Sequence, residues 1–168
     1  MAKWELNNSA VDEYLSKLEQ LGQKSTEMIG RAIYPAAGMV TDKIKDNIQA
    51  LPITTKRGSP EHPIDGVTSA QKTGLLQGLG IAKMTNNNGY VNVKVGFSGY
   101  NATVSTTAKT AGWTNTRQAN AMIARAVEGG TSFRKKHPFV APAVRAVRKN
   151  AEEKIKVEIE AEIEKLGF

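Results

Sequence analysis

Two histidines, one isolated glutamate and a run of three adjacent cations are the residues of this 168-residue chain whose types could do chemistry. His62 and His137 are each followed directly by proline, and neither stands at a spacing that makes a metal site. The chain has no cysteine, which excludes thiolate ligands, thiol nucleophiles and disulfides together. His137 follows Arg134-Lys135-Lys136, where neighbouring positive charge disfavours protonation and makes a poor general base. Both histidines read as loop residues with solvated rings. Glu128 is the one acid between Asp65 and Glu152, and it stands before Gly129-Gly130-Thr131. A lone carboxylate in a basic segment reads as an ion-pair partner rather than a catalytic acid. The glutamates of 152–164 alternate with apolar residues and form a solvated face, not a convergent acid–base pair.

Gly74-Leu75-Leu76-Gln77-Gly78-Leu79-Gly80 is glycine-rich but lacks the Gly-Lys-Ser/Thr ending of a phosphate loop. It also precedes a predicted strand instead of following one, so its glycines read as packing and helix-ending residues. No convergent catalytic set emerges, and the expectation is a protein that is not an enzyme and uses no cofactor or metal.

Charge is unevenly placed. Residues 1–51 carry 6 basic and 7 acidic side chains, residues 52–150 carry 14 and 3, and residues 151–168 carry 3 and 6. The middle segment is therefore +11 within a chain of net +7. Such a segment fits nucleic acid or an acidic protein surface. No interleaving of aromatic and basic residues marks a stacking platform. No apolar run approaches the ~18–20 residues of a membrane span. The first residues lack the apolar stretch of a secretion signal, so the expectation is a soluble protein of a reducing compartment, with no membrane partner.

The elements that must position these residues read as helices around a small sheet. Ser9 with Asp12 resembles a capping box opening a helix with Val11, Leu15 and Leu18 on one face, closed at Leu21-Gly22. Ser25 or Thr26 then caps a second helix, whose apolar positions are Ile29, Ile33, Ala37, Val40, Ile44, Ile48 and Leu51. Pro35 falls inside it, where a kink is expected because the stripe keeps its phase. Residues 52–68 hold three prolines and two glycines and predict a loop, mobile at about 53–68. Ser69 is expected to cap a short helix ending at Gly78.

Residues 81–85 and 90–97 flank Asn86-Asn87-Asn88-Gly89, whose Asn88-Gly89 signals the turn of a hairpin, with Val91, Val93 and Val95 on one side and Asn92 and Lys94 on the other. An edge strand is expected near 102–106. A short helix capped by Asn115 or Thr116 should carry Ala119, Met122, Ile123 and Ala126 up to Gly129-Gly130. The last segment alternates like a strand over 155–163, yet Val144, Val147, Ala151, Ile155, Ile159, Ile163 and Leu166 keep helical spacing. Length and the Ala, Glu and Lys content decide for a long helix beginning near Pro138 or Pro142, with Val157 outside its stripe. The sum is one α+β domain spanning 1–168: two N-terminal helices, a small antiparallel sheet built on a hairpin, short helices and a long C-terminal helix.

Three motifs fall in order along this frame: Thr73-Gly74-Leu75-Leu76 after the N-terminal helices, then Ala126-Val127-Glu128-Gly129-Gly130-Thr131, then His137-Pro138-Phe139-Val140-Ala141-Pro142-Ala143 before the last helix. This order resembles the tail-completion, or head–tail joining, proteins of long-tailed bacteriophages. Gly129 stands where that family carries an aromatic residue, and 53–68 reads as an insertion ahead of Thr73. The resemblance implies a small structural subunit of the virion neck or upper tail that forms a ring around the tail axis, with six copies expected. It further implies contact with other neck, connector and tail proteins, proximity to DNA in the channel, and assembly in the host cytoplasm. The alternative reading is a basic nucleic-acid-binding protein. Arg134, Lys135, Lys136, Pro138 and Phe139 are the expected subunit contact: three adjacent cations repel one another, and an acidic surface such as the 152–164 glutamates of a neighbour would relieve them.

Overall fold

A computed structural model of the chain describes residues 9–87, 90–105, 109–112 and 116–165. Four helices and six strands are described: α1 Ser9–Ala50, α2 Ser69–Gly78, β1 Leu79–Ile81, β2 Thr85–Asn87, β3 Tyr90–Asn92, β4 Val95–Phe97, β5 Tyr100–Val104, β6 Arg117–Ala119, α3 Asn120–Gly129 and α4 Val140–Glu164. The α+β class read from the sequence holds, with the long helix at the C-terminal end.

The expected break at Leu21-Gly22 is absent. α1 runs through it for 42 residues, about 63 Å at ~1.5 Å per residue, with Pro35 inside. Gly22 stays helical while the Ser25 hydroxyl donates back to its carbonyl at 2.9 Å. Readings made on the side chains of Ser9, Val11, Asp12, Leu15 and Leu18 lie outside the described ones. α4 lies antiparallel against α1. At one end the Asn47 side-chain amide donates to the Phe139 carbonyl at 2.9 Å, and at the other the Arg31 guanidinium meets Glu162 at 2.7 Å.

The buried stripe of α1 follows the expected Ile44, Ile48 and Leu51 in its second half, but in its first half it is Met28, Ala32 and Ala36 that are buried. Ile29, Ile33 and Ala37 are only half-buried. Here α1 has neighbours on two sides, α4 and the hairpin, so the arc turned inward is broader than a single stripe. In α4 the same shift puts Ala143 inside and leaves Val144 exposed, while Val157 lies outside the stripe as expected.

The hairpin is one antiparallel unit in two paired lengths. β1 pairs with β4 through Leu79↔Phe97 and Ile81↔Val95, and β2 with β3 through Thr85↔Asn92 and Asn87↔Tyr90. Residues 82–84 oppose only Val93 and Lys94, so one extra residue sits on the first strand as a bulge. The bulge leaves the Met84 N–H to donate to the Tyr34 hydroxyl of α1 at 2.8 Å. Asn88 and Gly89, the expected turn, lie outside the described residues.

β5 falls close to the expected edge strand, whose last residue, Thr106, is outside the described residues. Its partner β6 was not expected. The sequence places residues 117–119 in a helix, but α3 begins only at Asn120, with Ala119 at its N-cap and no side-chain bond there. Thr116 therefore precedes β6 instead of capping α3, and Asn115 lies outside the described residues.

α2 is capped one residue earlier than read. Thr68 accepts from the Gln71 N–H, and the Gln71 side chain accepts from the Thr68 N–H. The stretch ahead of it is clamped to the rest of the fold. Thr54 and Val67 bond across its base, and Ile64 pairs in parallel with Arg134. The core joins Ile44, Ile48, Leu51, Val67, Leu75, Ile123, Val127, Phe139 and Ala143, with the Phe97 and Phe139 rings edge to face at 5.9 Å.

Two adjacent glycines end α3 under opposite constraints. Gly130 has φ +76°, and a Cβ there meets the Lys136 backbone nitrogen at 3.2 Å, whereas a Cβ on Gly129 meets nothing within 4 Å. Gly129→Ala is expected to stabilise by about 0.5–1 kcal/mol and Gly130→Ala to destabilise by at least as much. Thermal unfolding of the two variants checks both signs.

Candidate functional site

Glu128 and the segment 130–142 form one connected unit where α3 ends and α4 begins. α4 has no capping side chain of its own, since Phe139 occupies its N-cap. Glu128 supplies the cap from α3. Its carboxylate accepts the N–H of Phe139 at 2.7 Å, of Val140 at 2.8 Å and of Ala141 at 2.9 Å. The next residue is Pro142, which has no N–H. All four backbone positions that an α-helix leaves without an internal acceptor at its start are thereby accounted for. Burial pushes the Glu128 carboxyl up, but the three backbone bonds and the nearby Lys136 ammonium outweigh it and hold the group below the ordinary glutamate value. The ion pair expected of this residue is thus a minor part of its role.

The loop before the cap is equally determined. Thr131 and Arg134 close a tight turn by reciprocal backbone bonds, and the Thr131 hydroxyl accepts from the Phe133 N–H at 3.2 Å. The His137 N–H donates to the Val127 carbonyl at 2.8 Å, and its Nε2 meets Asp65. That ring is half-buried and paired, not solvated as read, while His62 is exposed in a turn with Ser59.

The first motif positions α2. A Cβ on Gly74 would lie 2.3 Å from the Asn101 Cβ and 2.6 Å from the Asn120 Oδ1, so only glycine lets α2 meet β5 and the start of α3. Leu75 beside it is fully buried in the core, and Thr73 is exposed.

The expected contact Arg134, Lys135, Lys136, Pro138 and Phe139 is divided by the fold. Lys135, Lys136 and Pro138 are exposed. Phe139 is 1% exposed, because the cap turns its ring into the core, and it cannot anchor a partner. Arg134 is 8% exposed. It donates from one Nη to the Gly66 carbonyl and from the other to the Gln71 Oε1 at 3.0 Å, while the Gln71 amide donates to Gln118 at 2.8 Å. Burial lowers its affinity for a proton, though a guanidinium stays charged at neutral pH. Arg134 is the one buried member of the stretch 133–136, whose other three residues, Phe133 among them, are exposed.

The proposed acidic counter-surface is also altered. Glu152 pairs with Arg148, Glu158 with Lys154, Glu160 with Lys156, and Glu162 with Arg31 and Lys165. Much of that face is neutralised within the chain. Among the described residues, no group of three or more His, Asp or Glu side chains is placed to hold a metal ion. Comparison of the chain with family profiles, curated proteins and solved structures finds no match.

Glu128 accepts with both oxygens at full strength only when ionised, and its folded value lies below the ordinary 4.5. The stability it contributes is full above the unfolded value and is lost as pH falls through the folded one. Glu128→Ala is expected to cost about 2 kcal/mol at pH 7, within the range of cap deletions. The difference between wild type and Glu128→Gln should shrink as pH drops below about 4, which chemical denaturation across pH reads directly.

Proposed function

We propose that the chain is a structural subunit of the neck or upper tail of a long-tailed bacteriophage, forming a ring that completes the tail and joins it to the head. The observation that carries this reading is the framework role of the three ordered motifs. Gly74 and Leu75 seat α2, Glu128 and Pro142 start α4, and Gly130 and Thr131 shape the loop between α3 and α4. Residues resembling a family's signature in order serve here to hold elements against one another, as a structural subunit requires.

The charge pattern supports the same reading. α4 neutralises much of its own acid, while Lys135 and Lys136 remain exposed in a basic middle segment. Ring closure by unlike surfaces of successive copies is a heterologous contact, for which two faces of different chemistry are suited. The competing reading, a nucleic-acid binder, rests on the same exposed lysines.

Removing this reading frame from its phage genome is expected to leave filled heads and separate tails that do not join. Infectious particles at normal yield would contradict the proposal. Steep loss of duplex-DNA affinity by the isolated chain as salt rises would favour the competing reading.

A further inference from the structure

Arg134 faces an open groove of about 670 Å³ between the 52–68 stretch and the β5–β6 ribbon. Three cations, Lys56, Arg57 and Arg134, line it, and among the described residues no aspartate or glutamate does. The two protein groups that accept from Arg134 are a backbone carbonyl and a side-chain amide, both neutral, and they use two of its five N–H donors. A cation taken out of water without a counter-charge is poorly compensated by neutral oxygens alone.

One wall of the groove is closely packed against the turn that carries Arg134. A Cβ on Gly58 would lie 2.0 Å from the Phe133 carbonyl oxygen, and the Ile64 N–H donates to that same oxygen at 3.0 Å. Lys56 and Arg57, next along the chain, line the same groove as Arg134. Beside the cations the lip is apolar, with Phe133 at 52% and Val104 at 51% exposure.

We infer that this groove binds the carboxylate of an aspartate or glutamate side chain on a neighbouring protein chain. Arg134 is the anchoring cation, Lys56 and Arg57 steer the acid inward, and Phe133 with Val104 packs the apolar residues beside it. A planar guanidinium matches a carboxylate edge to edge. A groove this open would leave a free small acid largely wet, whereas a polypeptide also covers the apolar lip. A nucleic-acid backbone asks for a row of exposed cations, not one buried at the base of an apolar rim. That the neighbour is an adjacent subunit rests on the ring assembly proposed above. The chemistry of the groove does not, because it is read on the isolated chain.

The test follows the Arg134 Nε–Hε resonance of the full chain during titration, at constant ionic strength, with an acetylated peptide amide carrying one glutamate between two leucines, the same peptide amide with glutamine in its place, and inorganic phosphate. A saturable shift with the glutamate probe, absent with the glutamine probe, is expected. The surface double variant Lys56→Gln/Arg57→Gln should weaken it severalfold while leaving the free resonance in place. No saturable shift with the glutamate probe, equal shifts with both amides, or tighter binding of phosphate would overturn the inference, the last in favour of a phosphate-bearing ligand.

Discussion

The start of α4 depends on a carboxylate that belongs to another helix. A long helix cannot begin in a half-buried position with its first N–H groups unpaired, and α4 has no serine, threonine, asparagine or aspartate at its N-cap. Glu128 meets that requirement from the last turn of α3 by accepting three successive N–H groups. The consequence is geometric. The end of α3 and the start of α4 are fixed within one side chain's reach, and Phe139 is turned into the core against Phe97. α4 then leaves in one direction, along α1, where Asn47 and Arg31 meet its two ends. The negative carboxylate also suits the positive end of the helix dipole.

Around that junction the chain solves a second problem, the burial of Arg134. The tight turn between Thr131 and Arg134 brings the guanidinium under the 52–68 stretch, where the Gly66 carbonyl and Gln71 receive it. Gln71 also completes the capping box of α2 and bonds Gln118 of β6. One glutamine thus couples a helix start, a buried cation and a strand. The stretch that composition marks as an irregular loop becomes a wall of a groove, and the basic character of the middle segment is partly turned inward. What remains outward is a surface of exposed lysines beside exposed apolar side chains.

The elements with many repeats of one period were legible in the sequence. The stripe ending at Ile44, Ile48 and Leu51 and the spacing through 140–164 place two long helices, and the alternation over 91–97 places the hairpin. Features set by tertiary partners were not. Leu21-Gly22 reads as a stop, yet a single helical glycine costs only about 1 kcal/mol, too little to end a helix of this length. β6 has no β-branched residue, and its existence follows from pairing with β5 and from the bond that Asn101 donates to the Gln118 carbonyl.

Arg134-Lys135-Lys136 reads as one exposed run because charge alone carries no information on which member of a turn points inward. The cap at Glu128 did leave a trace in the sequence. A lone acid stands upstream of a helix start that lacks its own capping residue and has proline at its third helical position. That combination asks for an acceptor from elsewhere, and Glu128 is the one acid between Asp65 and Glu152 able to supply it.

Native-state amide hydrogen exchange at Phe139, Val140 and Ala141 tests the central claim most directly, because the first amides of a helix exchange freely unless something outside it accepts them. Protection of all three comparable to the middle of α4, lost selectively in Glu128→Ala while the middle of α4 stays protected, is the result this account predicts. Exchange of those three amides at unprotected rates in the wild-type chain would contradict it.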